Sequence, residues 1–534
     1  MNNGRHVGGS IAVFTVGAML TSIPALPQTQ LAAYQVLDIG TLGGSETTAV
    51  DINDRGEITG GSATADGWQH AFIYRDGEMI DLGTLKADRY AGGSSIGADI
   101  NNRGEVAGQA DTEDGSIHAV RYAGGIAKDL GTLGGTYSSG YAINEKSQVA
   151  GISYLSGDAE YHAFRYSRSS GMSDLGTLGD SYSTGDGIND AGEVAGIYQL
   201  EFESHAYLYT QGALVDLLPG KPSYVSSDAA VVINPAGHIA GSYQADDATR
   251  SFLYRDGGIV DLGTLGSDFA LASALNEVDQ VVGDSTIASG DAHAFRWTDG
   301  SMLDLGTLGG TYSNGFAINA SGEVTGQAVT AEGEYHPFVF SQGAMIDLRL
   351  PEGGFQGLGT AINKSGQVTG VYQLLTGDPF QPYVFRGFIA TPVALLFSKL
   401  QDQASGSVFG RFLSPTVRLA ARYYGRSDLT GTCVALSAFV AEASFISYNK
   451  KLAASMKLLT ADARAIKKTL GCRNEGNYNA ADTSTTSRLA VLPDTQPVSV
   501  EEREQALAWY KEQLGIDAHG ILLENPRKKL QVRQ

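Results

Sequence analysis

The sequence predicts an all-β repeat domain, an eight-bladed β-propeller of four-stranded blades, followed by a small all-α helical bundle. Three observations carry that expectation. A motif returns about every 44 residues, glycine is in excess, and the composition changes abruptly after Ala390. The chain holds 534 residues, 69 of them glycine, about 13% against an ordinary share of about 7%. There is no three-residue collagen period, and only 18% of residues are charged, so fibrous and disordered classes are excluded. Glycine in this number points to many turns, and many turns point to many short strands.

The repeat begins with Asp-Leu-Gly-Thr-Leu-Gly-Gly or a close variant at Asp38, Asp81, Asp129, Asp174, Asp216, Asp261, Asp304 and Asp347. A second block, Ala-x-x-Ile-Asn-x-x-Gly-x-Val-x-Gly, keeps step, with asparagines at 53, 101, 144, 189, 234, 276, 319 and 363. A third block, His-Ala-Phe-x-Tyr, stands at His70 and His162, with relatives at His118, His205, His293 and His336. Arg250 and Gln381 are read as replacing the histidine in the remaining copies. Each copy resolves into four short strands, in the third copy Tyr141–Asn144, Gln148–Ile152, His162–Tyr166 and Met172–Leu175. Asn-x-x-Gly between the first two is a tight turn whose glycine supplies positive φ. One four-stranded sheet cannot bury both its faces alone, so the copies must stack.

The order of blocks predicts closure. The chain opens on Tyr34–Asp38, which corresponds to a fourth strand, and leaves the array after Tyr383–Arg386, which corresponds to a third. The N-terminal segment can therefore complete the last unit and remove the exposed edges of an open array. A seven-bladed ring with one irregular unit, or an open stack, is the alternative.

On these three blocks, residues 34–389 resemble the HAF-repeat proteins, a family predicted to be extracellular. The resemblance implies secretion and a repeat fold; it brings no enzymatic activity and no catalytic residues. Arg250, Gln381, Leu217-Leu218-Pro219 and Leu348–Pro351 depart from the pattern, so the fifth and eighth units are expected to be distorted.

The remaining segments follow in order. Residues 1–33 read as a signal peptide, with Arg5 and His6 before the apolar run Ser10–Leu20 and small residues at Ala25, Ala32 and Ala33. Residues 34–390 are the propeller and 391–472 the bundle of three or four helices. Apolar residues fall at helical spacing at Leu452, Met456, Leu459, Ala463, Ile466 and Leu470, and Ser447–Lys450 is the turn of a hairpin. Cys433, early in one helix, and Cys472, just beyond the end of the next, are the two cysteines, and an antiparallel hairpin brings such positions together, where they can pair. Ala435–Cys472 resembles, in part, the FIMAH-type helical module of secreted proteins. Residues 473–498 read as linker, and 499–534 as a short helix and a basic tail.

Net charge is −21, which argues against nucleic acid as a partner. It is unevenly spread: residues 34–390 carry 17 basic and 45 acidic side chains, whereas 391–472 carry 11 basic and 4 acidic. Every loop between second and third strands bears a carboxylate: Asp66; Asp111, Glu113 and Asp114; Asp158 and Glu160; Glu201 and Glu203; Asp246 and Asp247; Asp291; Glu332 and Glu334; Asp378. In a propeller these loops share one face with the connections carrying Tyr90, Tyr137, Tyr182 and Tyr312. That face is the candidate binding surface, suited to Ca²⁺, a cationic partner, or sugars stacked on tyrosine rings.

No catalytic residue, metal ligand or resident cofactor is expected. The Asp51–Glu57 and Asp99–Glu105 segments lack the acidic twelfth ligand of an EF-hand loop, so each is read as a side-chain-stabilised turn. The recurring histidine is expected to tie neighbouring strands, and the recurring aspartate before Leu-Gly to cap a turn. The leading functional expectation is a secreted binding or adhesion protein, extracellular, at the cell surface or periplasmic, with a protein or glycan ligand and no membrane span. The alternatives are a polysaccharide hydrolase or lyase, for which Glu201, Glu203 and His205 form the cluster to test, and a surface-layer component.

Overall fold

In the computed structural model the described residues are 33–472, apart from 89, 91, 180, 202, 223–230, 246–247, 379, 408–409 and 447–452. The leader, the 447–450 turn, Leu452, Asp246 and Asp247, the linker and the C-terminal helix and tail all lie outside them.

Each sequence repeat folds as an antiparallel meander of four strands. In the first these are Gly43–Ile52, Ile58–Thr64, Gln69–Arg75 and Glu78–Asp81. The same pairing recurs through 95–129, 134–176, 187–216, 232–261, 266–304 and 309–347. Consecutive repeats meet through short parallel bridges, such as Tyr137 with Ile117 and Tyr312 with Ala292, so each sheet leans its start on its predecessor. The last repeat has three strands of its own, Gly354–Ile362, Val368–Leu375 and Tyr383–Pro392. Its fourth is the N-terminal strand Tyr34–Asp38, antiparallel to the third with Val36 opposite Ala390. This is β-propeller architecture with its ends joined, and the open stack is ruled out.

The cores lie between the sheets. The second-strand β-branched residue (Ile58, Val106, Val149, Val194, Ile239, Val281, Val324, Val368) is fully buried in every repeat. So is the third-strand Phe72, Phe164, Phe252, Phe295, Phe338 or Phe388, with Val120 and Tyr207 in the other two. In six repeats the first strand carries a bulge opposite the glycine two residues after that β-branched position. At Gly326 a Cβ would overlap the Asn314 carbonyl, which is why the block demands glycine there. The turn glycines have the expected positive φ, +77° at Gly56 and +76° at Gly322, with Ser147 and Asp279 taking the same conformation in the third and sixth repeats.

Two expectations need correction. Gly370 faces Phe388 as Gly60 faces Phe72, so Arg386, not Gln381, occupies the histidine position of the last repeat. The third strand accordingly runs past Arg386 to Pro392. The strong shortening falls in the fourth and fifth repeats, whose described first strands are only Gly187–Ile188 and Val232–Ile233.

Four helices follow: α1 Val393–Gly406, α2 Gly410–Tyr424, α3 Leu429–Ile446 and α4 Ala453–Thr469. Their apolar sides form one core that includes Phe397, Leu400, Leu413, Leu436, Phe439, Met456 and Ile466. Cys433 and Cys472 are disulfide-bonded, with Cα atoms 5.6 Å apart. The N-terminal strand also meets this bundle: Gln35 Nε2 donates to Thr469 Oγ1 at 2.9 Å, and Val393 N to Ala33 O at 2.8 Å. No described helix is long and apolar enough to cross a membrane.

Candidate functional site

The meander gives the array two rims. One carries the turns between first and second strands; the other carries the loops between second and third and between fourth and first.

On the turn rim the recurring asparagine does two things. Asn53 Oδ1 accepts the backbone N–H of Arg55 and of Glu57, each at 3.0 Å, which holds the turn. Its Nδ2 donates to the Asn101 carbonyl of the next repeat at 3.0 Å. The same outward bond joins Asn101 to Asn144, Asn144 to Asn189, Asn234 to Asn276, Asn276 to Asn319 and Asn319 to Asn363. Asn363 then donates to the Asn53 carbonyl at 3.0 Å, which joins the last repeat to the first; Asn189 Nδ2 donates instead to Glu193 within its own turn, so the series is interrupted between Asn189 and Asn234. All of these asparagines except Asn276 line a cavity of about 550 Å³ that also touches Asp54, Glu145, Asp190, Glu277 and Lys364. Much of that charge is committed. Glu145 accepts the Asn102 N–H at 2.8 Å, Asp190 the Glu145 N–H at 2.9 Å, and Asp54 pairs with Lys364 Nζ at 3.0 Å. Burial alone would raise the Asp54 pKa, but the hydrogen bonds and charge of Lys364 outweigh it and hold the carboxylate low.

Deeper on the first strands lie Asp51, Asp99 and Asp186, partly enclosed. Asp51 accepts the Ile100 N–H at 3.1 Å and Asp99 the Ile143 N–H at 2.7 Å, so each ties its repeat to the next. Burial raises Asp99 well above the carboxylate range, and the neighbouring Asp51 charge raises it further. Burial likewise raises Asp186, to about 6.

The recurring histidine is a strand tie. His70 Nδ1 meets the Asp81 carboxylate at 2.9 Å, and His118–Asp129, His162–Asp174, His293–Asp304 and His336–Asp347 repeat the pair at 2.9–3.1 Å. The same aspartate accepts the N–H two residues on, as Gly83 N to Asp81 at 2.7 Å, which caps the turn. In the last repeat Arg386 takes the role, donating to Asp38 at 2.9 Å. The His205 member of the cluster proposed for catalysis is buried, and its ring stacks on Tyr198 at 5.2 Å, so the imidazole is closed to a substrate.

The loop rim carries the acids and tyrosines named from the sequence, Asp246 aside. Tyr137, Tyr182 and Tyr312 lie beside the loop or third strand of the preceding repeat, through the bridges to Ile117, Tyr161 and Ala292. Many of the carboxylates serve their own loops. Asp158 accepts Thr136 N and Oγ1 at 2.7 and 2.9 Å, Glu160 accepts Ser181 Oγ, Asp111 accepts Ser94 N, Asp291 accepts Ser289 Oγ and Asp378 accepts Phe380 N. Asp114 accepts Thr112 Oγ1 and Ser116 N, which lower its pKa. Asp66, Glu203 and Glu332 are exposed. The acids are spread around the rim, and among the described residues no group of three or more His, Cys, Asp or Glu is placed to hold a metal ion.

The aromatics, by contrast, converge. Tyr137, Tyr154, Tyr161 and Tyr182 form a continuous series with centroids 5.6, 5.4 and 4.7 Å apart across the seam of the third and fourth repeats. A second group, Tyr312, Tyr335 and Phe385, lines a cleft of about 300 Å³ between the seventh and eighth repeats, together with Gln327, Gln356 and Gln373. Sequence reasoning found Tyr137, Tyr182 and Tyr312 but missed Tyr154, Tyr161, Tyr335, the glutamines and the asparagine ring. The tyrosines at either end of the 154–161 loop were the available signal for the first group. For the asparagines it was their recurrence at one position of every repeat.

No family model matches the sequence, and no curated protein matches it. Among solved structures the chain is similar to the β-propeller domain of the Trilobed protease from Pyrococcus furiosus, with 12% identity over 58% of this chain and 98% of that one and a TM-score of 0.37. It is also similar to TolB from Acinetobacter baumannii, with 12% identity over 56% of this chain and 79% of that one and a TM-score of 0.29. Acylaminoacyl peptidase from Pyrococcus horikoshii gives 11% identity over 63% of this chain and 59% of that one, with a TM-score of 0.37. Likenesses of this order transfer no activity.

Proposed function

We propose that the chain is a secreted, non-catalytic binding protein of the HAF-repeat kind, in which each of the eight sequence repeats supplies one blade and the loop rim engages an extracellular protein or glycan. The observation that carries this reading is the aromatic series Tyr137–Tyr154–Tyr161–Tyr182, built from two repeats at the rim where the loops vary most. Tyrosine offers a large rigid contact area at low entropic cost, which is why it concentrates in recognition surfaces. The recurring His–Asp pairs speak against catalysis, because they serve the same structural purpose in repeat after repeat. A disulfide favours an oxidising compartment, consistent with export.

The test is an array of extracellular glycans and cell-surface proteins probed with the full mature chain. Tyr161→Ala/Tyr182→Ala alters the loop rim, and Glu277→Ala alters the turn rim. At least one ligand captured by the wild type should be lost by the first variant, and none by the second. The reverse pattern, or chain-dependent cleavage of an arrayed polysaccharide, contradicts the proposal.

A further inference from the structure

We infer that the cleft between the seventh and eighth repeats is a binding site for a neutral saccharide. The inference deepens the loop-rim reading above and rests on it.

The cleft exists because two partners of a recurring stitch are missing together. At four other seams the residue after the histidine donates its N–H to a serine of the following repeat, as Ala71 to Ser95, Ala119 to Ser138, Ala163 to Ser183 and Ala294 to Ser313, at 2.7–2.9 Å. At the seam of the last two repeats the donor position is Pro337, which has no N–H, and the serine position is Gly357. No group is left unsatisfied by the loss, yet the loop-rim side of the seam lacks this stitch, while Asn319 still bonds Asn363 on the turn rim. The residue before Gly357 is Gln356, where other repeats place Tyr137 or Tyr312. Gly357 cannot carry a side chain, since its Cβ would stand 2.8 Å from Leu350 Cδ2 and from the Val371 carbonyl. No stitching side chain can therefore stand at this position.

Its lining is chemically specific. Tyr335 and Phe385 are 37% and 40% exposed and present ring surface, with Tyr312 packed edge-on to Tyr335 at 6.0 Å. Gln327, Gln356 and Gln373 contribute three side-chain amides, none with a hydrogen-bond partner among the described residues. Among the described residues no charged side chain lines the cleft. An amide donates and accepts at once, which matches vicinal hydroxyl groups, and aromatic faces pack on the C–H faces of a pyranose ring. A volume of about 300 Å³ lies at the lower end of small-ligand pockets. The propeller segment carries a net charge of −28, which disfavours polyanionic glycans and leaves neutral ones.

The experiment is calorimetric titration of the full mature chain with cellohexaose, maltohexaose, laminarihexaose and chitohexaose, with an alginate hexamer as the charged control. Phe385→Ala and Gln356→Ala are compared with Tyr161→Ala, and thermal melting confirms that each is folded. At least one neutral hexasaccharide should bind, both cleft variants should weaken it by about tenfold or more, and Tyr161→Ala should change it by less than about twofold. Preference for alginate, or binding indifferent to both cleft variants, overturns the assignment. If no hexasaccharide binds while the array ligands still depend on Tyr161 and Tyr182, the cleft assignment falls and the loop-rim reading stands.

Discussion

The two rims are built by the same repeats, yet they treat the repeats differently. On the turn rim one residue type makes the same bond at seven junctions, including Asn363 back to Asn53. On the loop rim equivalent positions diverge: Tyr312 in one repeat answers to Gln356 in the next, and Ser313 to Gly357. Uniformity marks where the repeats must hold each other; divergence marks where one seam has been released from that duty. A binding surface belongs on the second kind of rim, because a ligand needs a unique place and an identical ring offers none.

The largest effect that would break this comparison is loss of closure. Deleting 34–38 removes the last repeat's fourth strand and its contact with α4, and should leave an aggregating or partly unfolded chain, seen by size-exclusion chromatography and melting. A soluble, fully folded deletion would mean that the joined ends are dispensable. Next is the disulfide. Cys433→Ser/Cys472→Ser opens a loop of sequence separation 39, and chemical denaturation should show the bundle weakened by about 4 kcal/mol while the propeller transition is unmoved.

A smaller effect separates the rims directly. Asn319→Ala removes bonds to Asn363 O, Glu323, Ser321 N and Glu323 N, and should cost about 2 kcal/mol. Asp66→Ala on the exposed loop rim should stay within about 0.5 kcal/mol. Equal costs would erase the distinction.

The smallest effect concerns pH. Asp186 keeps its proton up to about 6 in the folded chain, above its ordinary value of 3.8, and Asp99 is raised in the same sense. At these two sites the folded state thus holds more protons than the unfolded one, so their contribution to stability should fall as pH rises from about 4 to about 6. Asp186→Asn should flatten that slope in melts across the window, and an unchanged slope would show that Asp186 is not its source.

Much of this architecture was legible in the residues. The turn chemistry of Asn-x-x-Gly, the His–Asp tie, the aspartate cap and the Cys433–Cys472 pair each follow from local spacing or from two helices lying antiparallel. The last repeat was misaligned because Arg386-Gly387-Phe388 keeps only the phenylalanine of its block, and a charge-assisted bond from Arg386 does the work of the imidazole. The asparagine ring escaped notice because its bonds join residues 42–48 apart, and in one case 310 apart, and only the folded array brings them together. The cleft was invisible for a different reason. It arises from what Pro337 and Gly357 lack, and those two absences acquire meaning only once they face each other.

Hydrogen–deuterium exchange of the full chain tests the central claim most directly. If the N-terminal strand closes the propeller, amides of 35–38 should be protected as strongly as those of the interior strand 324–330, and should open together with 383–392. Exchange of 35–38 at the rate of a free peptide, beside a protected 383–392, would contradict it.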